Sequence, residues 1–215
     1  MHDFRYVPKK EVKPVRNELF LILREVQDLV RDDFTFQFKL IGSSSRNMLT
    51  YDAKSNIGYD FDINIEVNDD EEQFTPKEIR LILKNAIDRV APKYSYNYCE
   101  DSTRVLTIKK VNIISSRIIH SCDFAVVYNC SDGRQQYIRY NKTYRNYTWE
   151  YQGKGFEKMD AKIEWLKGKG YWAELRAYYI EKKNFNDDRD KHSRSIFVES
   201  INEICHKKGL NKIVI

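Results

Sequence analysis

The residues Tyr59-Asp60-Phe61-Asp62-Ile63-Asn64-Ile65-Glu66-Val67 alternate polar and apolar without a break. In an extended chain successive side chains point to opposite faces, so Phe61, Ile63, Ile65 and Val67 share one face, and Asp60 and Asp62 stand side by side on the other. A strand of this kind belongs in a sheet with one face buried and the other carrying charge. Two adjacent carboxylates repel each other, and a fold tolerates them when solvent, a shared proton or a cation relieves the repulsion. A hard divalent ion such as Mg²⁺, which takes oxygen ligands and works with substrate phosphates, relieves it directly.

A second alternating run, Phe34-Thr35-Phe36-Gln37-Phe38-Lys39-Leu40, predicts another strand. It breaks at once into Ile41-Gly42-Ser43-Ser44-Ser45. Such a small-residue turn lets a ligand approach the backbone closely, and its N–H and hydroxyl groups can hold phosphate oxygens. A phosphate-holding turn ahead of a carboxylate pair is a coherent chemical unit, although either half alone is a weak signal.

Gly42-Ser43, a spacer, and then Asp60-Phe61-Asp62 resembles the glycine-serine and aspartate-x-aspartate signature of the DNA polymerase β-like nucleotidyltransferase superfamily. The long spacer and the strand YDFDINIEV are similar to the branch holding oligoadenylate synthases, cyclic GMP-AMP synthase and their minimal bacterial relatives. The resemblance covers roughly residues 15 to 128. Family members carry a third metal carboxylate on a hydrophobic-Asp-hydrophobic strand, and Cys122-Asp123-Phe124-Ala125-Val126 is similar to it. Glu100 and Asp101, in what reads as a turn, compete with Asp123 for that role. Related enzymes also place a lysine and a serine of the helical lobe against the triphosphate. Lys183 and Ser193 are candidates among Lys182, Lys183, Lys191 and Ser193, with helix-surface lysines as the plainer reading.

The remainder of the chain fits that outline. Val15, Leu19, Ile22, Val26 and Leu29 recur at helical spacing, with Pro14 suited to a first turn. Thr75-Pro76-Lys77-Glu78 reads as a capping box, and Ile79, Ile82, Leu83, Ala86, Ile87 and Val90 follow as one stripe ended by Pro92. The period returns to two over Tyr94 to Tyr98, Arg104 to Lys110 and Ile118 to Tyr128, and Arg134 to Tyr140 reads as a returning hairpin strand. The stretch 141–155 is polar and aromatic with no clear period and is expected to connect two lobes. Three stripes then predict helices: Phe156, Met159, Ile163 and Leu166; Trp172, Leu175 and Tyr179; Phe197, Ile201 and Ile204. The expected fold class is α+β in two lobes. Residues 1–140 form a mixed-sheet nucleotidyltransferase core flanked by helices, and 141–215 form the connector and a small helical lobe.

Composition sets outer bounds. Lys and Arg number 37 against 32 Asp and Glu, for a net charge of +5, a mild attraction for nucleotides without the sharp basic stripe of a dedicated nucleic-acid binder. The charged N-terminus does not read as a secretory signal, and no apolar run is long enough to span a membrane, so a cytoplasmic protein is expected. Cys99, Cys122, Cys130 and Cys205 form no C-x-x-C pair, and His120, Cys122 and Cys130 do not repeat as zinc ligands do, so reduced, buried or idle thiols are expected.

The resemblance implies a Mg²⁺-dependent nucleotidyltransferase that moves a nucleoside monophosphate from an NTP, ATP among them, to a hydroxyl acceptor and releases pyrophosphate. Asp60, Asp62 and Asp123 are the implied catalytic and metal residues for two ions, Mn²⁺ being a workable substitute. Gly42 and Ser43 are implied to hold the phosphates. The acceptor stays open among a nucleotide, an RNA end, a small molecule and a protein hydroxyl, as do base preference and oligomeric state. A silent fold that senses nucleotide or RNA, and a solvated strand face with no nucleotide chemistry, remain the alternatives.

Overall fold

A computed structural model describes residues 2–55, 58–69, 72–153, 157–188 and 190–210. The element order is β1 (Phe4–Tyr6), α1 (Lys9–Val30), β2 (Thr35–Leu40), α2 (Gly42–Ser45), β3 (Thr50–Asp52), β4 (Tyr59–Asn68), α3 (Pro76–Val90), β5 (Glu100–Asp101), β6 (Leu106–Asn112), β7 (Arg117–Asn129), β8 (Gln135–Asn141), β9 (Asn146–Tyr151), α4 (Glu157–Gly168), α5 (Trp172–Phe185) and α6 (Ser193–Lys207). The chain divides into two compact units. One joins Tyr6–Tyr51 to Ser55–Gln152, and the other joins Met1–Arg5, Asp52–Lys54 and Gly153–Ile215.

The first unit is built on a seven-stranded mixed sheet in the order β2-β4-β7-β6-β5, with β8 also paired to β7 and β9 to β8. Among the described residues of this sheet, β4 and β7 run parallel and the other pairs are antiparallel. Phe61, Ile63 and Ile65 of β4, Cys122, Phe124 and Val126 of β7, and Leu106 and Ile108 of β6 form one buried core with α1 and α3. Burial of each such side chain contributes on the order of 1.5–3 kcal/mol. The helices supply Leu19, Ile22, Leu23 and Val26 from α1, and Ile79, Leu83, Ala86, Ile87 and Val90 from α3. Covering this face with two helices leaves the alternate residues of β4, β7 and β6, the carboxylates among them, on the opposite face.

The capping box is formed as its sequence predicts: Glu78 N–H donates to Thr75 Oγ1 at 3.3 Å and Thr75 N–H to Glu78 Oε2 at 2.8 Å. Three local expectations are corrected. Helix α1 begins at Lys9, with Pro14 inside it, because the Pro8 carbonyl starts the turn by accepting from Glu11 and Val12 N–H and Val12 is buried. Its stripe ends on buried Val30, leaving Leu29 40% exposed. Tyr94 to Tyr98 is not a strand: Ser95 is left-handed and closes a 3₁₀ turn over Ala91–Tyr94, so the strand resumes only at Glu100. The aperiodic stretch 141–155 contains β9, paired with β8 from Gln136↔Tyr151 to Asn141↔Asn146. Tyr147, Trp149 and Tyr151 share one face of β9 and alternate with Asn146, Thr148 and Glu150, with Tyr140 stacked on Tyr147 and Tyr128 against Trp149; that period of two spans only six residues and is diluted by the polar residues before and after it.

A buried ion pair fastens α3 to the edge of the sheet. Arg80 is fully buried and donates to Asp101 Oδ1 at 2.8 Å and to the Ser102 and Arg104 carbonyls, while Tyr147 Oη donates to Asp101 Oδ2 at 2.7 Å.

In the second unit, Met159, Ile163 and Leu166 of α4, Leu175 and Tyr179 of α5, and Phe197, Ile201 and Ile204 of α6 are buried, as the stripes predict, while Trp172 at the start of α5 is only half-buried. Phe156 lies outside the described residues. The N-terminal segment belongs here: Phe4 N–H donates to Asn184 Oδ1 at 2.6 Å and His2 Nδ1 lies 2.7 Å from Asp52 Oδ2. No helix among the described residues is long and apolar enough to cross a membrane.

Candidate active site

The polar face of the sheet gathers the carboxylates through the one parallel pairing. Register sets Asp62 opposite Asp123 and Asp60 opposite Ser121, while on the other side of β7 Thr107 faces Asp123 and Lys109 faces Ser121. Two cross-strand rows result, Asp62–Asp123–Thr107 and Asp60–Ser121–Lys109. The residues far apart in sequence meet because β7 lies between β4 and β6.

Each carboxylate has its own setting. Asp60 is exposed and accepts a hydrogen bond from the buried Ser121 hydroxyl. Asp123 accepts from Thr107 Oγ1 at 2.6 Å. Asp62 is the most perturbed: burial, then the charges of Asp123 and Asp60, push its carboxyl up to about 6, against a weaker pull from Arg46. Burial also raises Asp123, opposed by the Thr107 hydrogen bond and helped by Asp60. Carboxylates that resist ionisation because of burial and one another are those a cation would relieve.

The turn after β2 packs on the same strand. Ile41 N–H donates to the Asp62 carbonyl at 2.9 Å, and Asp62 N–H donates to Ser44 Oγ at 3.0 Å, so the buried Ser44 hydroxyl ties turn to strand at Asp62 itself. The position of Ser44 marks it as a structural link. Gly42 has φ +60°, and a Cβ there would stand 2.7 Å from Asp62 Oδ2. Glycine is therefore required twice, by the left-handed backbone and by the carboxylate over it. Ser43 is half-buried, and its carbonyl accepts from Arg46 N–H at 3.2 Å and Met48 N–H at 2.9 Å.

The competitors of Asp123 are engaged elsewhere. Asp101 pairs with Arg80, and Glu100 accepts from Lys109 Nζ at 2.7 and 2.6 Å. Lys183 and Ser193 belong to the second unit. Lys183 is not a surface lysine: it is 5% exposed, with Nζ 3.9 Å from the Phe4 ring centroid and 5.7 Å from that of Tyr179. Ser193 opens α6 and is exposed. Lys182 pairs with Glu199 and Glu203, and Lys191 with Glu199. His120 and Cys122 lie on the helix-covered face, where burial holds His120 down to about 4, so they are core residues.

Among the described residues, no group of three or more His, Cys, Asp or Glu is drawn together closely enough to hold a metal ion. Asp60 leans to Ser121 and Asp123 to Thr107. The donor set itself suits Mg²⁺: three carboxylates, all oxygen, on neighbouring strands in adjacent rows, two of them disfavoured as bare anions. Sequence reading missed Ser121 and Thr107. Ser121 could have been found two residues before Asp123 on one strand, but its pairing with Asp60 depends on a register that no local pattern encodes.

No protein-family model matches the sequence, and no curated protein matches it by sequence. Solved structures do match the fold. Vibrio cholerae DncV cyclic AMP-GMP synthase, in complex with the linear intermediate 5′ pppA(3′,5′)pG, superposes with a TM-score of 0.66 at 11% identity over 91% of this chain and 67% of that one. A DncV variant in complex with ATP and GTP gives 0.66 at 10% identity over 91% and 68%. The Bradyrhizobium diazoefficiens CD-NTase CdnG in complex with GTP gives 0.51 at 11% identity, over 82% of this chain and 43% of that one. At such identities the likeness concerns the fold. The protein therefore has the mixed α+β fold seen in DncV and CdnG.

Proposed function

We propose that this protein is a divalent-metal-dependent nucleotidyltransferase that transfers a nucleoside monophosphate from an NTP to a hydroxyl acceptor and releases pyrophosphate. The observation that carries the reading is the in-register Asp62 and Asp123 beside Asp60, with the Gly42 turn packed on Asp62, in a fold shared with NTP-bound neighbours.

Asp60, Asp62 and Asp123 would hold two Mg²⁺ ions, which when bound supply charge neutralisation on the phosphates and acidify a hydroxyl. The chain's own residues do the rest. Gly42, without a side chain, leaves the turn open to the triphosphate, and Ser43 contributes its hydroxyl to the β- and γ-phosphates. Asp123 is raised by burial, which suits a group that takes the proton of an acceptor hydroxyl. Its Oδ1 accepts from Thr107. Holding donor and acceptor in line supplies the remaining part of the rate. A second nucleotide is the acceptor most in keeping with the neighbours, although this chain spans only 43–68% of their lengths.

The test is incubation with each α-labelled NTP, singly and mixed, with Mg²⁺, beside an Asp60→Asn Asp62→Asn double variant. Pyrophosphate and a new labelled species with the native protein alone support transfer, and the product's mass names the acceptor. Mg²⁺-dependent stabilisation by NTP without turnover means that the acceptor is missing from the assay or that the protein is a nucleotide sensor. No effect of nucleotide on either readout overturns the assignment.

A further inference from the structure

Two hydroxyls flank the carboxylates on this face, one in each cross-strand row. Ser121 Oγ donates to Asp60 Oδ1, and Thr107 Oγ1 donates to Asp123 Oδ1 at 2.6 Å. Their placement follows from pairing. Asp60↔Ser121 and Asp123↔Thr107 are direct partners across β7, and each hydroxyl reaches the nearest carboxylate oxygen of its own row. Ser121 is only 6% exposed, so water competes poorly for its proton. A hydroxyl donating to an ionised acceptor is a strong, directional bond that fixes the plane of the carboxylate. It also occupies one oxygen and leaves Oδ2 of each acid for another partner.

Asp62 is held differently. Its backbone is pinned by Ser44 and Ile41, and its side chain is bounded by Gly42. Asp60 and Asp123 have their backbones held by strand pairing, and their side chains are met by the Ser121 and Thr107 hydroxyls. Resting on the metal-site reading above, we infer that Ser121 and Thr107 are positioning residues that set Asp60 and Asp123 for a divalent cation, each through one charge-assisted hydrogen bond. Neither is expected to touch substrate. Partners of this kind commonly change metal affinity by about 10–100-fold when removed.

The experiment measures Mn²⁺ binding directly, by the loss of its free-ion electron paramagnetic resonance signal, in the full chain without nucleotide. Native protein is compared with Ser121→Ala, Thr107→Val, the hydroxyl-keeping Ser121→Thr and Thr107→Ser, and Asp62→Asn, with thermal unfolding run on each. The inference expects Ser121→Ala and Thr107→Val each to weaken Mn²⁺ affinity about tenfold at unchanged Tm, and Thr107→Ser to retain it. Native affinity in Ser121→Ala and Thr107→Val, with Asp62→Asn abolishing binding, overturns the inference and leaves the metal site standing. Tighter binding in either variant also overturns it, since the hydroxyl then competes with the cation. If native protein binds no Mn²⁺, the metal-site reading fails and this inference falls with it. Should Ser121→Ala unfold because the site is buried, Thr107→Val alone decides, Thr107 being half-buried near the sheet edge.

Discussion

Replacing Gly42 by alanine tests the packing of turn on carboxylate. Two penalties are expected. The left-handed backbone, φ +60°, costs a residue with a Cβ about 1–2 kcal/mol. The new Cβ would also lie 2.7 Å from Asp62 Oδ2 and 3.4 Å from Cγ, so the carboxylate must rotate away. Forcing a side chain off its rotamer costs about 0.5–1.5 kcal/mol. The sum is about 1.5–3.5 kcal/mol, which for a chain of this size lowers Tm by roughly 3–14 °C. The two parts separate in a double-mutant cycle, because Asp62→Ala removes the carboxylate and leaves only its Cβ, 3.7 Å away, in ordinary contact. In the Asp62→Ala background, Gly42→Ala should therefore cost only the backbone term, and the coupling should be about 1 kcal/mol, read from urea unfolding at neutral pH. Strict additivity of the two substitutions would refute the contact. A native-like Tm for Gly42→Ala would refute the strained turn as well.

Other outcomes follow from the same structure. A Cβ on Gly58 would stand 1.9 Å from the Ile119 carbonyl oxygen, a backbone atom, so Gly58→Ala should displace the start of β4 and destabilise by about 2 kcal/mol or more, as thermal melting would show. Arg80→Ala strands Asp101 and two carbonyls, with an expected loss of about 3–5 kcal/mol. Adding Asp101→Asn should recover part of it in denaturant titration, and no recovery would argue against the ion pair as the cause. His120 is held neutral by burial, aided by Lys110, with Tyr96 Oη 2.8 Å from Nε2. Because its folded pKa of about 4 lies below the ordinary 6.5, the unfolded chain takes the proton first, so stability falls as pH drops from 6.5 towards 4. Between pH 7 and 5 that contribution has a ceiling of about 2 kcal/mol. His120→Asn should flatten that part of the pH profile, and an unchanged slope would mean that other groups set it.

Much of the site was legible one strand at a time. Period-two alternation carried Asp60 and Asp62 to one face, and the break after Leu40 located the turn, because both are properties of adjacent residues. Asp123 could be proposed from its place as a lone acid at the head of an apolar run, and from likeness, both weak signals because a single acid among apolar residues is common. Its case rests on the parallel register that sets it against Asp62. Most of the helix stripes on α3 and the C-terminal helices held for the same local reason, with Ile82 and Trp172 only half-buried, while α1 shifted because the burial of Val12 and Val30 outweighs the pattern around Pro14 and Leu29.

The sequence by itself determined which residues can form strands and helices, where small residues allow a turn, and which acids share a strand face. Tertiary structure alone decided the neighbours across strands: Ser121 beside Asp60, Thr107 beside Asp123, Gly42 beneath the Asp62 carboxylate, and Arg80 against Asp101. It also showed β9 as a strand and Lys183 as a buried residue against Phe4. The physical reason is that periodicity is written in neighbouring positions, whereas register and strand order come from the packing of the whole sheet on its helices, where a slip of one residue would exchange its two faces.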